Sequence, residues 1–184
     1  MKMNQLLLLA PFALIACGGA PKPVDSAATT SGGAVAAAPS GPVDPAFQKV
    51  MAAPAAKRGP ASAPLAQGLK EVAGWFAATL TPDGEPFTVT LEEGGDARAE
   101  FTLKAGNCYM FVGYATQTVK DYDLHIWKTT PTPSIQADDD DDDNSPTVGK
   151  PPICPKADTP YVAEMVADKG KGDLALQLYS KPDR

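Results

Sequence analysis

The chain has 184 residues, of which 43% are hydrophobic and 21% charged, enough for one domain of ordinary size with a real core. Its formal net charge is −6, and the run Asp138–Asp143 alone supplies six negative charges, so the remainder is close to neutral. No Lys/Arg-rich helix or basic patch is visible, which excludes nucleic acid as a partner.

The first residues read MKMNQLLLLAPFALIACGG. Lys2 forms a short positive start, and Leu6 to Ala16 is an apolar run too short to span a bilayer stably. That pattern is a signal segment over residues 1–16. Its end, Leu14-Ile15-Ala16-Cys17, resembles the lipobox of bacterial lipoproteins. The resemblance implies cleavage just before Cys17 and acylation of its thiol, with the membrane as a partner through that anchor. Two or three acyl chains hold firmly where one is marginal, at about 0.8 kcal/mol per buried CH2. Position 18 is Gly rather than Asp, which by the same resemblance implies sorting to the outer membrane of the cell envelope.

Residues 17–64 are mostly Ala, Gly, Pro and Ser. Such a composition buries too little apolar surface to offset chain entropy, so the expectation is a disordered spacer. Asp44-Pro45 does supply an N-cap with Pro at the first helical position, compatible with a transient turn of helix over Ala46–Met51. The composition favours plain linker there. From residue 65 the pattern changes, and residues 65–184 form the expected domain. Leu65, Leu69, Val72 and Phe76 recur at helical spacing, which favours a short helix within 65–79 despite Gly68 and Gly74.

Beyond Gly84 the period shortens to two. Phe87–Leu91 and Ala97–Leu103 alternate, with turn residues at Glu93–Asp96 and Lys104–Asn107. Cys108–Tyr114 is more continuously apolar and reads as a central strand. Tyr122–Trp127, Thr132–Gln136, Tyr161–Ala167 and Leu174–Tyr179 follow, with Lys169–Asp173 as a hairpin turn. The fold class expected is all-β, a small antiparallel, jelly-roll-like β-sandwich of seven or eight strands. Cys108 and Cys154 allow a single pairing, and in an oxidising compartment a disulfide is the expectation. It would close a loop worth roughly 3–4 kcal/mol in the chain-entropy model.

FTLKAGNCYMFVGY, then VKDYDLHIW, a D-rich stretch ending DNSPT, and GKGDLALQLY together resemble the bacterial pre-peptidase C-terminal domain over residues 85–180. The resemblance implies a small β-sandwich that serves as a non-catalytic accessory module. Some members of that family are thought to bind collagen or calcium. The chain departs from the pattern by its cysteine pair and its longer acidic loop.

Candidate chemistry is confined to two places. In KDYDLHIW, Asp121, Asp123 and the sole histidine, His125, share one face of a strand, opposite Tyr122, Leu124 and Ile126. Two carboxylates and an imidazole can bind a cation, with Ca²⁺ the natural choice, although the wet face of a half-buried strand looks the same. Asp138, Asp140, Asp142 and Asn144 follow the D-x-D-x-D spacing of the first half of an EF-hand loop. The second half fails, because the sixth position is Asp143 and the twelfth Gly149. A looser calcium loop shared with Asp121 and Asp123 stands against a solvated acidic loop. There is no G-x-S-x-G, H-E-x-x-H or P-loop, so no enzyme is expected. An envelope protein or glycan is the expected partner, and Trp75, Trp127 and Tyr109 could line a glycan platform or belong to the core.

Overall fold

A computed structural model describes residues 43–184. The signal segment, Cys17 and most of the expected spacer lie outside the described residues. Twelve elements follow in order: α1 (Pro45–Ala52), β1 (Lys57–Arg58), α2 (Ala63–Phe76), β2 (Thr81–Pro82), β3 (Phe87–Leu91), β4 (Gly95–Leu103), β5 (Asn107–Ala115), β6 (Val119–Lys128), β7 (Ser134–Asp139), β8 (Thr147–Ile153), β9 (Thr159–Gly170) and β10 (Gly172–Pro182).

Every strand pair is antiparallel. One sheet has the order β1-β3-β10-β5-β8, with β2 on β10, and the other has β4-β9-β6-β7. β3 pairs with β10, β4 with β9, β5 with β8 and β6 with β7. That nesting is a single long ribbon folded on itself and wound into two sheets, the jelly-roll connectivity. The expected fold class holds. The strand count rises to ten because β1 and β2, of two residues each, are too short to leave a periodic trace, and β8 carries Gly149, Pro151 and Pro152 in place of a strand pattern. Only β6 and β7 form a hairpin within one sheet. The expected hairpin at Lys169–Asp173 is instead a corner that carries the chain between sheets. Gly170 turns it with φ +81°, where a Cβ would collide with the carbonyl of Thr118.

The core between the sheets follows the alternation of the strands. Phe111, Tyr122, Leu124, Ile126, Met165, Leu174 and Leu176 are fully buried there. α2 covers the outer face of the first sheet, laying Leu65, Leu69 and Val72 on Met110, Val112, Ala175 and Tyr179. Gly68 is required in it because the Tyr114 ring occupies the space of a Cβ. The disulfide Cys108–Cys154 forms, with Cα atoms 4.1 Å apart and a sequence separation of 46. Closing that loop is worth about 4 kcal/mol in the chain-entropy model.

Residues 43–64 correct the expected spacer. Asp44 Oδ1 accepts from the Ala46 amide at 2.9 Å and caps α1, with Pro45 at the first helical position. α1 then buries Phe47 and Val50 against Trp127 and Val162 on the outer face of the second sheet. After it, the Ala56 amide donates to the Arg98 carbonyl and the Arg98 amide to the Pro54 carbonyl, covering the β4 edge. β1 continues onto the β3 edge. Two sheet edges that would otherwise stand open are thus covered by an alanine- and proline-rich segment. Two large apolar side chains were enough to dock it.

Candidate functional site

The alternation of β6 separates its two faces as its sequence requires. Tyr122, Leu124 and Ile126 point into the core, and Asp121, Asp123, His125 and Trp127 point out. α1 seals Trp127, whose ring lies 5.5 Å from that of Phe47. The three polar residues beyond it meet β9 on one side and β7 with the acidic run on the other.

The acidic run is not a free loop. Asp138 and Asp139 belong to β7, with Asp138 exposed and opposite His125 in the ladder. Asp140 to Pro146 is the corner from β7 to β8. The Tyr122 amide donates to the Asp143 carbonyl and the Ala115 amide to the Asn144 carbonyl. Asn144 Nδ2 donates to the Ala115 carbonyl at 3.1 Å, and Asp139 Oδ2 accepts from the Thr147 amide at 2.7 Å. The backbone is held on both sides by the ends of β5 and β6.

That anchoring drops the carboxylates onto two cations of the protein itself. His125 Nδ1 donates to Glu164 Oε2 at 3.1 Å, and Nε2 donates to Asp140 Oδ1 at 2.7 Å. Glu164 Oε2 also accepts from Trp127 Nε1 at 3.3 Å. Further along the strand, Lys169 Nζ donates to Asp121 Oδ2 and to Asp142 Oδ1, both at 2.7 Å. The outer face therefore carries two acid–base–acid triplets, Glu164–His125–Asp140 and Asp121–Lys169–Asp142. Asp123 lies on the same face.

The protonation states follow from the contacts. The hydrogen bond to Glu164 raises the His125 pKa to about 9; burial opposes it and Asp140 reinforces it. With both ring nitrogens donating to carboxylates, the imidazole is an imidazolium at neutral pH. Burial alone would push Glu164 up, but the hydrogen bonds from His125 and Trp127 outweigh it and hold that carboxyl below its usual range. The hydrogen bond from Lys169 lowers Asp142, while Asp121 and then Asp142 hold Lys169 above the ordinary lysine value. Asp123 goes the other way. Burial, then the charges of Asp121, Asp140 and Asp168, push its carboxyl up to about 6.

Of the expected calcium ligands, Asp121 and Asp142 meet on Lys169, Asp140 meets His125, Asp138 is exposed, and Asn144 turns its amide to the backbone. They are not gathered around one point. Asp121 Oδ1 is buried without a hydrogen-bond partner among the described residues. One orphaned oxygen is far from the six to eight that calcium takes, so the set does not fit that ion. Among the described residues, the one group of three ligand atoms within 4.8 Å of each other is Cys108, Cys154 and Asp183, and its sulfurs are joined in the disulfide. The three aromatics of the expected glycan platform are likewise scattered. Tyr109 is in the core, Trp127 is under α1, and Trp75 stands on α2 over the opposite sheet.

Glu164 and Lys169 were not singled out in the sequence. Glu164 had a trace, as a lone acid in the apolar run Tyr161–Ala167, where a buried charge demands a partner. Lys169 had none, because its approach to Asp142 depends on how the corners of the jelly roll are stacked. No protein-family model matches the chain, and no curated protein matches it.

Proposed function

We propose that the chain is a lipid-anchored binding module of the bacterial cell envelope, held to the membrane through Cys17 and engaging an envelope protein or glycan without catalysis. The observation that carries this reading is Leu14-Ile15-Ala16-Cys17 behind Lys2 and an apolar run of signal length. The Cys108–Cys154 disulfide suits export to an oxidising compartment. Four of the outward carboxylates, Glu164, Asp140, Asp121 and Asp142, are tied to His125 and Lys169. A groove of about 520 Å³ beside α2, lined by Leu69, Ala73, Ala77, Leu80, Pro82 and Tyr179, offers an apolar surface for binding.

The decisive experiment is intact mass spectrometry of the protein from a bacterial membrane fraction. The expected product starts at Cys17 and carries a diacylglycerol and an amide-linked acyl chain. Cys17→Ser should leave the protein unacylated and release it from the membrane. A mature chain without acylation, or one starting elsewhere, would overturn the reading.

A further inference from the structure

The corners of the jelly roll segregate charge. β3 to β4, β5 to β6, β7 to β8 and β9 to β10 all turn at one end of the sandwich, and that end holds the acidic run. The opposite end holds the disulfide. There β10 finishes with Lys181 beside Cys108, and β2 pairs with Tyr179 and Ser180. α2 therefore delivers its last turn to the disulfide end.

That last turn is out of keeping with the rest of the helix. The buried stripe of α2 is Leu65, Leu69 and Val72, yet Trp75 is 77% exposed and Phe76 is 46% exposed. Two adjacent aromatics this exposed leave apolar surface in water at the end of the helix. Lys150 Nζ stands 3.5 Å from the centre of the Phe76 ring. A neighbouring depression of about 620 Å³ is lined by Thr79, Pro151, Pro152, Lys181 and Arg184 among others. Two of the acids at this end are engaged, Asp158 by Lys104 at 2.8 Å and Asp183 by Lys156 at 3.3 Å, while Glu71, Asp83 and Glu85 have no cation within 4.0 Å among the described residues. Lys150 and Lys181 have no carboxylate partner within 4.0 Å among the described residues. The patch thus joins exposed Trp and Phe to two lysines outside any direct ion pair, while the densest negative charge, the run Asp138–Asp143, lies at the far end.

We propose that the disulfide end is a membrane-contact surface, which sets Trp75 and Phe76 into the headgroup layer of a bilayer containing anionic phospholipid. Trp is suited to that layer because its ring is apolar and its N–H is polar. Lys150 and Lys181 would meet lipid phosphates. The acidic run, repelled by the same surface, would face away from it. The choice of a membrane as the occupant rests on the lipid-anchor reading, which puts a bilayer within reach of the domain.

The test uses the chain from residue 18, which carries no acyl group. All three apolar clusters and the disulfide lie within residues 43–184, so the fold is complete in it. The chain has two tryptophans and Trp127 is buried, so a change on binding reports Trp75. Vesicles of phosphatidylglycerol and phosphatidylcholine should shift its emission to the blue and co-sediment the protein. Pure phosphatidylcholine should do so much less. Lys150→Gln and Lys181→Gln should each weaken partitioning about fivefold. Trp75→Ser with Phe76→Ser should weaken it more than about tenfold. Trp75 is 77% exposed, so Trp75→Ser alone should keep the parental melting temperature and still weaken partitioning, which controls for any loss of fold in the double variant. No binding to anionic vesicles, or binding indifferent to the double variant, overturns the proposal. So does a Trp75 shift produced by envelope protein but not by vesicles, which would make the patch a protein-docking surface. Since the assay contains no acyl chain, its failure leaves the Cys17 reading standing. An unmodified Cys17 would equally leave the vesicle result standing.

Discussion

His125 faces Glu164 directly across the β6–β9 ladder, and its Nδ1 donates to the Glu164 carboxylate at 3.1 Å. This pair fixes the imidazole so that Nε2 points at Asp140 on the acidic corner. The folded pKa of His125 is raised to about 9 from 6.5. A raised pKa stabilises the fold fully below the unfolded value, and the contribution is lost as pH climbs through the folded one. Stability from this group should therefore decline between pH 6.5 and about 9. Because the chain has a single histidine, an NMR titration of the imidazole reads it without ambiguity. Glu164→Gln should move the midpoint down. A midpoint near 6.5 in the parent protein would refute the double hydrogen bond.

Asp123, on the same face, gives a pH dependence of the same sign in a lower window, although here the charged form is the disfavoured one. Burial and three neighbouring acids raise its pKa to about 6 from 3.8, so the folded state holds its proton more tightly than the unfolded state does. Its charged form is a liability above pH 6, and stability from this group falls as pH rises from about 4 to 6. Asp123→Asn should stabilise the protein at pH 7. The gain is on the order of 1 kcal/mol once the partial exposure of the carboxyl is allowed for. Chemical denaturation at pH 7 and at pH 3.5 checks it, since the gain should vanish at the lower value. Equal gains at both would mean that packing, not charge, is responsible.

The two triplets also predict the response to calcium. Asp140 and Asp142 are spent on His125 and Lys169, and the remaining candidates do not converge with them. Millimolar Ca²⁺ after EDTA should leave the melting temperature unchanged. Binding to the native state alone would raise stability by RT ln(1 + [L]/Kd), a few kcal/mol for a tight site. A clear rise, lost when Asp138, Asp140 and Asp142 become Asn, would show that the ion displaces the protein's own cations. Lys169→Met provides an independent view. It leaves Asp121, whose side chain is 5% exposed, as a buried charge without its partner, and should destabilise the fold more than Asp142→Asn does.

What could be read in advance divides along physical lines. Strands β3, β4 and β6 announce themselves because one face of each is buried and the other wet, and a period of two survives in sequence. The same logic put Asp121, Asp123 and His125 on one face. The cysteine pairing needed only counting. Contacts that depend on the winding of the ribbon were beyond such reasoning. Asp140 and Asp142 lie on β6 and β9 partners only because β7 crosses to the other sheet at the end where β5 and β6 meet. The hairpin expected at Lys169–Asp173 failed for the same reason, since turn residues do not say which sheet the next strand joins. The cap and first position of α1 were legible as a transient turn over Ala46–Met51, but plain linker was favoured because composition averages over residues 17–64 and hides the two side chains that dock it.

Those two residues support the last prediction. Phe47 is 8% exposed and Val50 1%, and both rest on Trp127 and Val162. If α1 is part of the fold, Phe47→Ala should cost about 3 kcal/mol, the low end for a buried phenylalanine because the site is at the margin of the domain. The change should also wet Trp127 and shift its emission to the red. Trp75 is exposed in either state, so Trp75→Phe as a background leaves Trp127 as the sole reporter. Denaturant unfolding gives the energy, and the emission maximum before the transition gives the environment. Were residues 43–62 only spacer, neither quantity would move, and deleting them would leave the melting temperature intact. The expected loss on deletion is larger than that of Phe47→Ala, because it also strips the backbone partners of Arg98 and reopens the β4 and β3 edges. That ordering separates a docked helix from an edge-covering strap, for only the strap predicts a further loss once the helix contact is already gone.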